Sequence, residues 1–398
     1  MYLKGIKISL SMILINYYCI KILTGKLLPN CSIICFSIIL IFLFLDIIQN
    51  HGGKVVVGQE FRCWTIYLVI SLLTAVFCVN TSGIYRGLVD YIQRMVIVFA
   101  VYYVCSLEKS IKWPINLLTL VSIASAVCIL SGTSDVSRRL GSAGSASEAI
   151  SANDMGALMA FGCFTIFFAF NNKRKTSIFR MALVAAISIL FISVISISGS
   201  RKAIIAVMIL YIFLIFFCAK SVFSSISSVQ LFLIVIAVGG ILVLAYIQLL
   251  PLFENTSLYI RVFGSKAVAA SQSNDGRLFL IEQALKDFWE HPIIGLGYNN
   301  FVYYHGNYTH CTYVEPLASS GIWGLLYLIP YISIFNKRLF LARYSQKDKI
   351  LQKALLAFYI SFLFIGVGIP FIYKDIPNVI LGMLLGAQEI GYQELCEE

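Results

Sequence analysis

Long uninterrupted apolar runs constrain this chain more than any other feature of its sequence. The runs are about 18 to 24 residues long, and about 20 apolar residues in a helix cross the roughly 30 Å hydrocarbon core of a bilayer. Because lipid offers no hydrogen-bond partners, a spanning segment must be a helix or part of a closed barrel. Barrel strands would alternate apolar and polar residues, and these runs do not alternate. We therefore predict an all-α polytopic membrane protein.

The composition agrees with this prediction and excludes other classes. Of the 398 residues, 59% are hydrophobic and 12% are charged, whereas a soluble domain carries about 25% charge. The net charge of +11 does not indicate nucleic-acid binding, because the lysines and arginines lie mostly in short loops between apolar runs. The eleven cysteines are scattered mainly through the runs, so we interpret them as small apolar residues and expect no disulfide framework.

We predict about twelve transmembrane helices in a single membrane domain, residues 1–398. They are placed near residues 6–24, 31–49, 63–80, 87–106, 113–131, 153–170, 178–198, 203–220, 229–250, 312–335, 351–372 and 375–391. Alternate loops carry most of the basic residues, which predicts that these loops and both termini are cytoplasmic.

One connection is much longer than the others, and we predict that it is a structured extracytoplasmic loop, residues 251–311. Within it, residues 276–289 have the period of a short amphipathic helix. Its apolar face would consist of Leu278, Ile281, Leu285 and Phe288. Asp275 is the predicted N-cap, and Pro292 ends the helix. Such a helix would lie on the membrane or cover the mouth of a cavity.

Arginines at the predicted outer side are candidates for binding an anion. Arg201, in SISGSRKAII, lies among small residues that allow a ligand to approach the backbone, and a guanidinium binds phosphate or carboxylate through two hydrogen bonds. Arg261 and Arg277 lie in the long loop, and Arg138 lies in an earlier outer loop. The alternative is that Arg201 and Lys202 only anchor the helix at the membrane interface and that Arg277 is a solvated helix residue.

The end of the long loop is a candidate for binding a sugar acceptor. The stretch GLGYNNFVYYHGNYTH offers aromatic faces and amides, among them Tyr298, Asn299 and Tyr304, and it ends at His310. A histidine exchanges protons near neutral pH, and Glu315 follows His310 by about one helical turn, where it could orient or tune the imidazole. The alternatives are an interfacial aromatic belt and a histidine that only hydrogen-bonds the loop.

Two charged residues lie inside a predicted membrane helix. Asp90 and Arg94 are four residues apart, so they can pair on one helix face. Charges within the membrane are functional candidates by default, with a structural ion pair as the alternative. The sequence contains no P-loop, HExxH, paired CxxC or Asp-x-Asp motif, so we expect no cofactor and no metal.

Taken in order, four stretches resemble the O-antigen polymerase and O-antigen ligase superfamily of bacterial polysaccharide assembly. The first is RLGSAGSASEAISANDMGALMAF, in which Asn153 opens a helix, and the second is SISGSRKAII. The third is DGRLFLIEQALKDFWEHPIIGLGYNNF, and the fourth is THCTYVEPLASSGIWGLLYLIPY. They lie within residues 138–335. Cys311 follows the histidine where the family often has Asn.

The resemblance implies a membrane glycosyltransferase in the bacterial cytoplasmic membrane. Its donor would be an oligosaccharide on a polyprenyl diphosphate, presented at the outer leaflet, and the lipid diphosphate would be the leaving group. The important arginines and the histidine of the family match Arg201, Arg277 and His310. A flippase and a chain-length regulator would be further partners beside the bilayer, and no nucleic acid is expected.

The resemblance leaves two functions open, and alternatives of other classes stand beside them. A polymerase would elongate lipid-linked repeat units, and a ligase would transfer the finished chain to a lipid or protein acceptor. We favour the polymerase. A flippase or other transporter is the alternative of a different class, but a transporter should carry polar or charged residues on many helices and should lack a long structured outer loop. A sensory or scaffold protein would not bring arginines and a histidine together.

Overall fold

The computed structural model describes residues 1–24, 26–51, 58–131, 151–170, 178–223, 267–345 and 349–397. All regular secondary structure in these ranges is helical. We number the helices α1 (Tyr2–Thr24), α2 (Cys31–His51), α3 (Gln59–Thr74), α4 (Thr81–Glu108), α5 (Lys112–Leu130), α6 (Ala152–Phe170), α7 (Ile178–Ser198), α8 (Arg201–Phe223), α9 (Ala267–Glu290), α10 (Phe301–His305), α11 (Glu315–Ser320), α12 (Leu325–Tyr344), α13 (Lys349–Gly366) and α14 (Asp375–Glu397).

The described helices include seven that are long and apolar enough to cross a bilayer. They are α1, α2, α3 with its 3₁₀ extension to Phe77, α4, α5, the segment Glu315–Tyr344 and α13. The chain is therefore a multi-pass membrane protein, as predicted. Every other predicted span overlaps a described helix, but the predicted span 229–250 lies outside the described residues. The count of about twelve therefore stays a prediction.

Ion pairs between helix ends define the two ends of the bundle. At one end of the bundle Lys7 pairs with Glu108, and Lys337 pairs with Glu60 at 2.7 Å. At the other end Lys374 pairs with Asp154 at 2.8 Å. We call this second end the loop end, because the segment 291–314 packs there. The loop end is the one that the distribution of basic residues predicts to be outside.

A group of tyrosine rings links the loop segment to the middle of the bundle. Tyr298 lies with its ring centroid 6.4 Å from Tyr67, 5.9 Å from Tyr91 and 6.2 Å from Tyr373. At 1.5 Å per residue, Tyr91 lies about 15 Å along α4 from its first residue. The segment around Tyr298 therefore descends between the helices instead of remaining above them.

The structure corrects two helix boundaries. Helix α9 begins at Ala267 and continues to Glu290, so Asp275 is an interior residue and not the predicted N-cap. The long run placed at 351–372 ends as a helix at Gly366, and residues 367–374 form turns with a short 3₁₀ segment. Gly366, Gly368 and Pro370 account for the early end, because glycine and proline are poor helix residues.

The amphipathic helix also presents a different face to the protein from the one we predicted. Ala284 and Asp287 are buried, and Leu280 packs beside Ala284 in a small cluster with Phe301 and Ala318. By contrast, Leu278 is 58% exposed and Leu285 is 40% exposed. The predicted apolar face is therefore turned at least partly away from the bundle, where a membrane surface would meet it.

Candidate functional site

His310 occupies a constrained position at the end of the loop. Its φ of +59° lies in the left-handed region, which residues other than glycine seldom adopt. The ring of Tyr308 lies 4.3 Å from the imidazole, centroid to centroid. Thr309 is buried, and its backbone N–H donates to Oε2 of Glu315 at 2.8 Å. The residues on both sides of the backbone bend are therefore fixed, and this sets the direction of the His310 side chain.

Glu315 is the centre of the hydrogen bonds that hold this bend. Its carboxylate is 1% exposed and accepts from the backbone of Thr309 and, at 3.0 Å through Oε1, from the hydroxyl of Tyr373. We expected Glu315 to orient or tune His310. The contacts show a connection through the neighbouring residue, since Glu315 ties the chain immediately before His310 to the turn that follows α13.

That turn, residues 366–374, is bonded to the start of the last family-like stretch. The backbone N–H of Thr312 donates to the carbonyl of Gly366 at 2.8 Å. The hydroxyl of Thr312 donates to the carbonyl of Ile369 at 2.5 Å and accepts from the backbone N–H of Phe371 at 3.0 Å. Thr312 is fully buried, so these bonds form a rigid joint between the loop that carries His310 and the turn.

Lys374 extends this joint to α6. Its amine pairs with Asp154, in the first turn of α6, and lies 6.0 Å from the ring centroid of Tyr308. Burial by itself would lower the pKa of Lys374, but the carboxylate of Asp154 outweighs burial and raises it. A charged pair therefore fixes α6 against the aromatic ring beside His310.

Basic residues from two distant segments meet close to this joint. Lys202, in the first turn of α8, has a pKa lowered to about 8, mainly by burial and then by the positive charges of Arg277 and Arg201. The thiol of Cys311, next to His310, has the opposite influence on Lys202. Arg201 and Arg277 are 76 positions apart in sequence, yet both act on one lysine beside the histidine loop.

Close backbone approaches explain why glycines recur in the family-like stretches. A Cβ on Gly156 would lie 2.5 Å from Cβ of Ser200, so α6 and the start of α8 touch there. Gly295, with φ of +72°, lies against the backbone of Ser319, where a Cβ would meet main-chain atoms at 2.6 Å. The first stretch thus packs on the second and the third on the fourth, and only glycine permits either contact.

The predicted acceptor-binding residues differ in their surroundings. Tyr304 is 47% exposed and packs edge to face on Tyr303 at 5.5 Å, so its ring is accessible to a ligand. Tyr298 is 1% exposed within the tyrosine group, which favours a packing role. Asn299, with φ of +62°, directs its amide to the carbonyl of Gly83 at 3.4 Å. The roles proposed for all three residues stay predictions.

Two predicted site residues, Arg138 and Arg261, lie outside the described residues. The pair predicted inside the membrane is arranged differently from our expectation. Arg94 donates to the backbone carbonyl of Asp90 at 3.0 Å, and its ion-pair partner is Asp375 at the start of α14, at 3.5 Å. Arg94 thus joins α4 to α14, which pack against each other along much of their length.

The turn after α13 and Asp154 contribute to the site, although none of the motifs above indicates this. Gly368 lies within the predicted span 351–372, and Tyr373 and Lys374 lie in the short connection between that span and the next. The signal was present in GVGIPFIYKD, where two glycines, a proline and a charged pair interrupt an apolar run. Lys202 was considered only as an interfacial anchor.

Fold and site together define a class: a multi-pass helical membrane protein in which two arginines and a lysine lie beside a loop that carries a histidine, and a buried glutamate holds that loop. A comparison with protein families supports a narrower conclusion. Residues 186–329 match the family model described as O-antigen ligase. The resemblance to the O-antigen polymerase and ligase superfamily is thereby confirmed, over a segment that contains Arg201, Arg277, His310 and Glu315. No curated protein matches the chain at a significant level.

Proposed function

We propose that this protein is a membrane glycosyltransferase that polymerises oligosaccharide repeat units linked to a polyprenyl diphosphate, at the outer face of the cytoplasmic membrane. The observation that carries the proposal is that Arg201 and Arg277, from distant parts of the chain, both lie close enough to Lys202, beside the loop of His310, to lower its pKa. A diphosphate leaving group needs fixed positive charge, and an acceptor hydroxyl needs a nearby base. The product would be a surface, capsular or O-antigen polysaccharide.

In the proposed reaction the acceptor hydroxyl oxygen attacks the anomeric carbon of the donor. The bond between that carbon and the diphosphate oxygen breaks, and the bonding electrons leave with the lipid diphosphate. Neutral His310 accepts the hydroxyl proton, while Arg201 and Arg277 bind the phosphate oxygens as their negative charge increases. Glu315 touches neither substrate in this scheme and acts as a positioning residue for the His310 bend.

The acceptor sugar would lie over the exposed aromatic segment that precedes His310. The rings of Tyr303 and Tyr304 are accessible there, and aromatic faces stack on the apolar faces of sugars. Arg138 and Arg261 are retained as further substrate-binding candidates on sequence grounds alone.

Ligase-type transfer to a lipid or protein acceptor is the second candidate, because the matching family model is described as O-antigen ligase. The two functions differ in what they need. Purified protein given only lipid-linked repeat units should produce a ladder of longer lipid-linked chains if it is a polymerase. A ligase would give no ladder and would consume a finished chain only when a separate acceptor is added.

The role of His310 tests the proposed chemistry. If His310 accepts a proton, His310→Ala should lose transfer yet bind the lipid-linked donor, and His310→Gln should not restore transfer, since glutamine cannot take up the proton. The measurement is transfer by purified variants, normalised to folded protein. His305→Gln is a matched control, because His305 pairs with Asp287 at 2.8 Å, away from this bend. Full turnover by His310→Gln would rule out a base at this position.

A further inference from the structure

Lys202 is the basic residue of the site to which neither the sequence motifs nor the proposed chemistry gives a role. It lies in the first turn of α8, immediately after Arg201, and is half-buried. Its side chain lines a small cavity with Asn153 and Ser200, whose other wall is formed by Ile365 and Ile369 beside the turn after α13. An interfacial anchor would extend toward water or lipid headgroups, and Lys202 does not.

Gly368 determines where the amine of Lys202 can lie. A Cβ on Gly368 would be 2.0 Å from Nζ of Lys202 and 2.1 Å from its Cδ, so the lysine occupies the volume that any larger residue would fill. The turn that contains Gly368 is bonded through Thr312 to the loop of His310. The amine is thereby held at a fixed position relative to that loop.

The positive charges of Arg201 and Arg277 disfavour the protonated form of this amine, and a bound anion would have the opposite effect. Arg201 comes from its own helix and Arg277 from α9, while Cys311 approaches from the loop. Asp154 lines a neighbouring cavity, but its carboxylate is paired with Lys374. Three basic side chains from two segments, α8 and α9, form an arrangement that suits a group with two negative phosphates.

We propose that Lys202 is a third diphosphate-binding residue of this site and that Gly368 sets the position of its amine. This inference rests on the proposed function, because it assigns a residue to the same leaving group. Lys202 would add a point charge to the two guanidinium groups. An arginine would bind one phosphate through two hydrogen bonds, while the lysine contacts an oxygen of the diphosphate.

The proposal has a consequence for pH. Since the pKa of Lys202 is about 8, the amine is charged below that pH and loses its proton as the pH rises through it. Arginine side chains are not deprotonated in proteins at these pH values. Diphosphate affinity should therefore fall between about pH 7 and 9, and this component should be absent in Lys202→Met.

The test is binding of a polyprenyl diphosphate without sugar, compared with the corresponding polyprenyl alcohol, to purified full-length protein in lipid nanodiscs. Lys202→Met should weaken diphosphate binding by about tenfold or more, the effect of losing one charge-assisted hydrogen bond. Gly368→Ala should weaken it similarly, although it removes no charge. Two matched controls should bind as the wild type does: Lys286→Met, at an exposed lysine, and Gly276→Ala, where a Cβ meets open space.

The outcomes separate this inference from the proposed function. Diphosphate binding that depends on Arg277 but is unchanged in Lys202→Met, with unchanged pH dependence, would overturn the role of Lys202 and leave the glycosyltransferase standing. Equal binding of the diphosphate and the alcohol by the wild type would overturn both. Wild-type binding by Gly368→Ala would overturn the assignment of Gly368. Melting temperatures of all variants show whether each protein is folded. Gly368→Ala tests the position of the Lys202 amine, because this variant leaves the charge of the site unchanged.

Discussion

Glu315 is a buried carboxylate that positions His310 without contacting either substrate in the proposed reaction. Its two oxygens accept from the backbone of Thr309 and the hydroxyl of Tyr373, and so join the loop before His310 to the turn after α13. A carboxylate buried to this degree would be costly without such donors. Its hydrogen bonds therefore both permit its burial and set the direction of the histidine.

We expect Glu315→Ala to lower transfer by about 10- to 100-fold, since a displacement of about 1 Å at a reacting group has an effect of this size. Donor binding should change little. Glu315→Gln keeps an oxygen acceptor for one of the two donors and should recover most of the activity. Transfer rates and donor affinities of the purified variants provide the check. Equal losses in the alanine and glutamine variants would show that the charge of Glu315, and not its acceptor geometry, matters.

Arg201 and Arg277 are expected to act through the shape of the guanidinium as well as its charge. Arg→Lys at either position keeps the charge but loses the bidentate fork, which should cost about 2 to 4 kcal/mol in the transition state. Polymer chains should shorten or disappear while the amount of protein in the membrane stays the same. Gel analysis of the polysaccharide measures this, with Arg343→Lys at an exposed position of α12 as the control. Wild-type polymer in both Arg→Ala variants would refute the assignment.

At the scale of elements, the backbone contact between residues 292–297 and residues 318–322 holds the loop segment in the bundle. The backbone N–H groups of Leu296 and Gly297 donate to the carbonyls of Ala318 and Ser319 at 2.9 and 2.8 Å, and that of Ile322 donates to Pro292 at 2.7 Å. These bonds satisfy polar groups that would otherwise be buried without partners. They make an irregular segment possible at membrane depth, where it is covered by protein.

Gly295→Ala should therefore destabilise the protein by about 1 to 3 kcal/mol, because the residue has a positive φ and a Cβ would press on the backbone of Ser319. Gly276→Ala is the matched control, since its Cβ meets open space in the middle of α9. Thermal unfolding in detergent, followed by the fraction of monodisperse protein, measures the difference. Identical melting temperatures would mean that the contact between the two segments is loose enough to move apart.

For the whole molecule, the main prediction is its orientation in the membrane. Ion pairs define the two ends of the bundle, and the distribution of basic residues predicts that the loop end is outside. Asn307, at an exposed loop position, and Lys349, at the start of α13 on the opposite end, are suitable reporters.

In a Cys396→Ser background, which removes an exposed native thiol, Asn307→Cys should react with a membrane-impermeant reagent added to intact cells. Lys349→Cys should react only after the membrane is opened. The unsubstituted background protein corrects for the remaining cysteines. The reverse pattern would invert the orientation and would place the basic cluster and His310 on the side away from the outer leaflet.

The sequence by itself determined the class of fold, the approximate positions of the helices and three of the main candidates, Arg201, Arg277 and His310. Each of these depends on a local signal. An apolar run of membrane length must become a helix because lipid cannot form hydrogen bonds with its backbone. An arginine or a histidine is a functional candidate by its residue type alone. The resemblance to the polymerase and ligase superfamily rests on signals of the same local kind.

Only the tertiary structure decided which residues meet. Lys202 approaches Gly368 across a separation of 166 positions, Asp154 pairs with Lys374 across 220, and Glu315 reaches Tyr373 across 58. A local sequence pattern cannot predict these contacts, because they depend on how deeply each helix lies in the bundle and on where glycines allow backbones to touch. From the sequence, most of the turn after α13 is predicted to be part of a membrane helix. Only the packing of the bundle shows that this turn closes one side of the site.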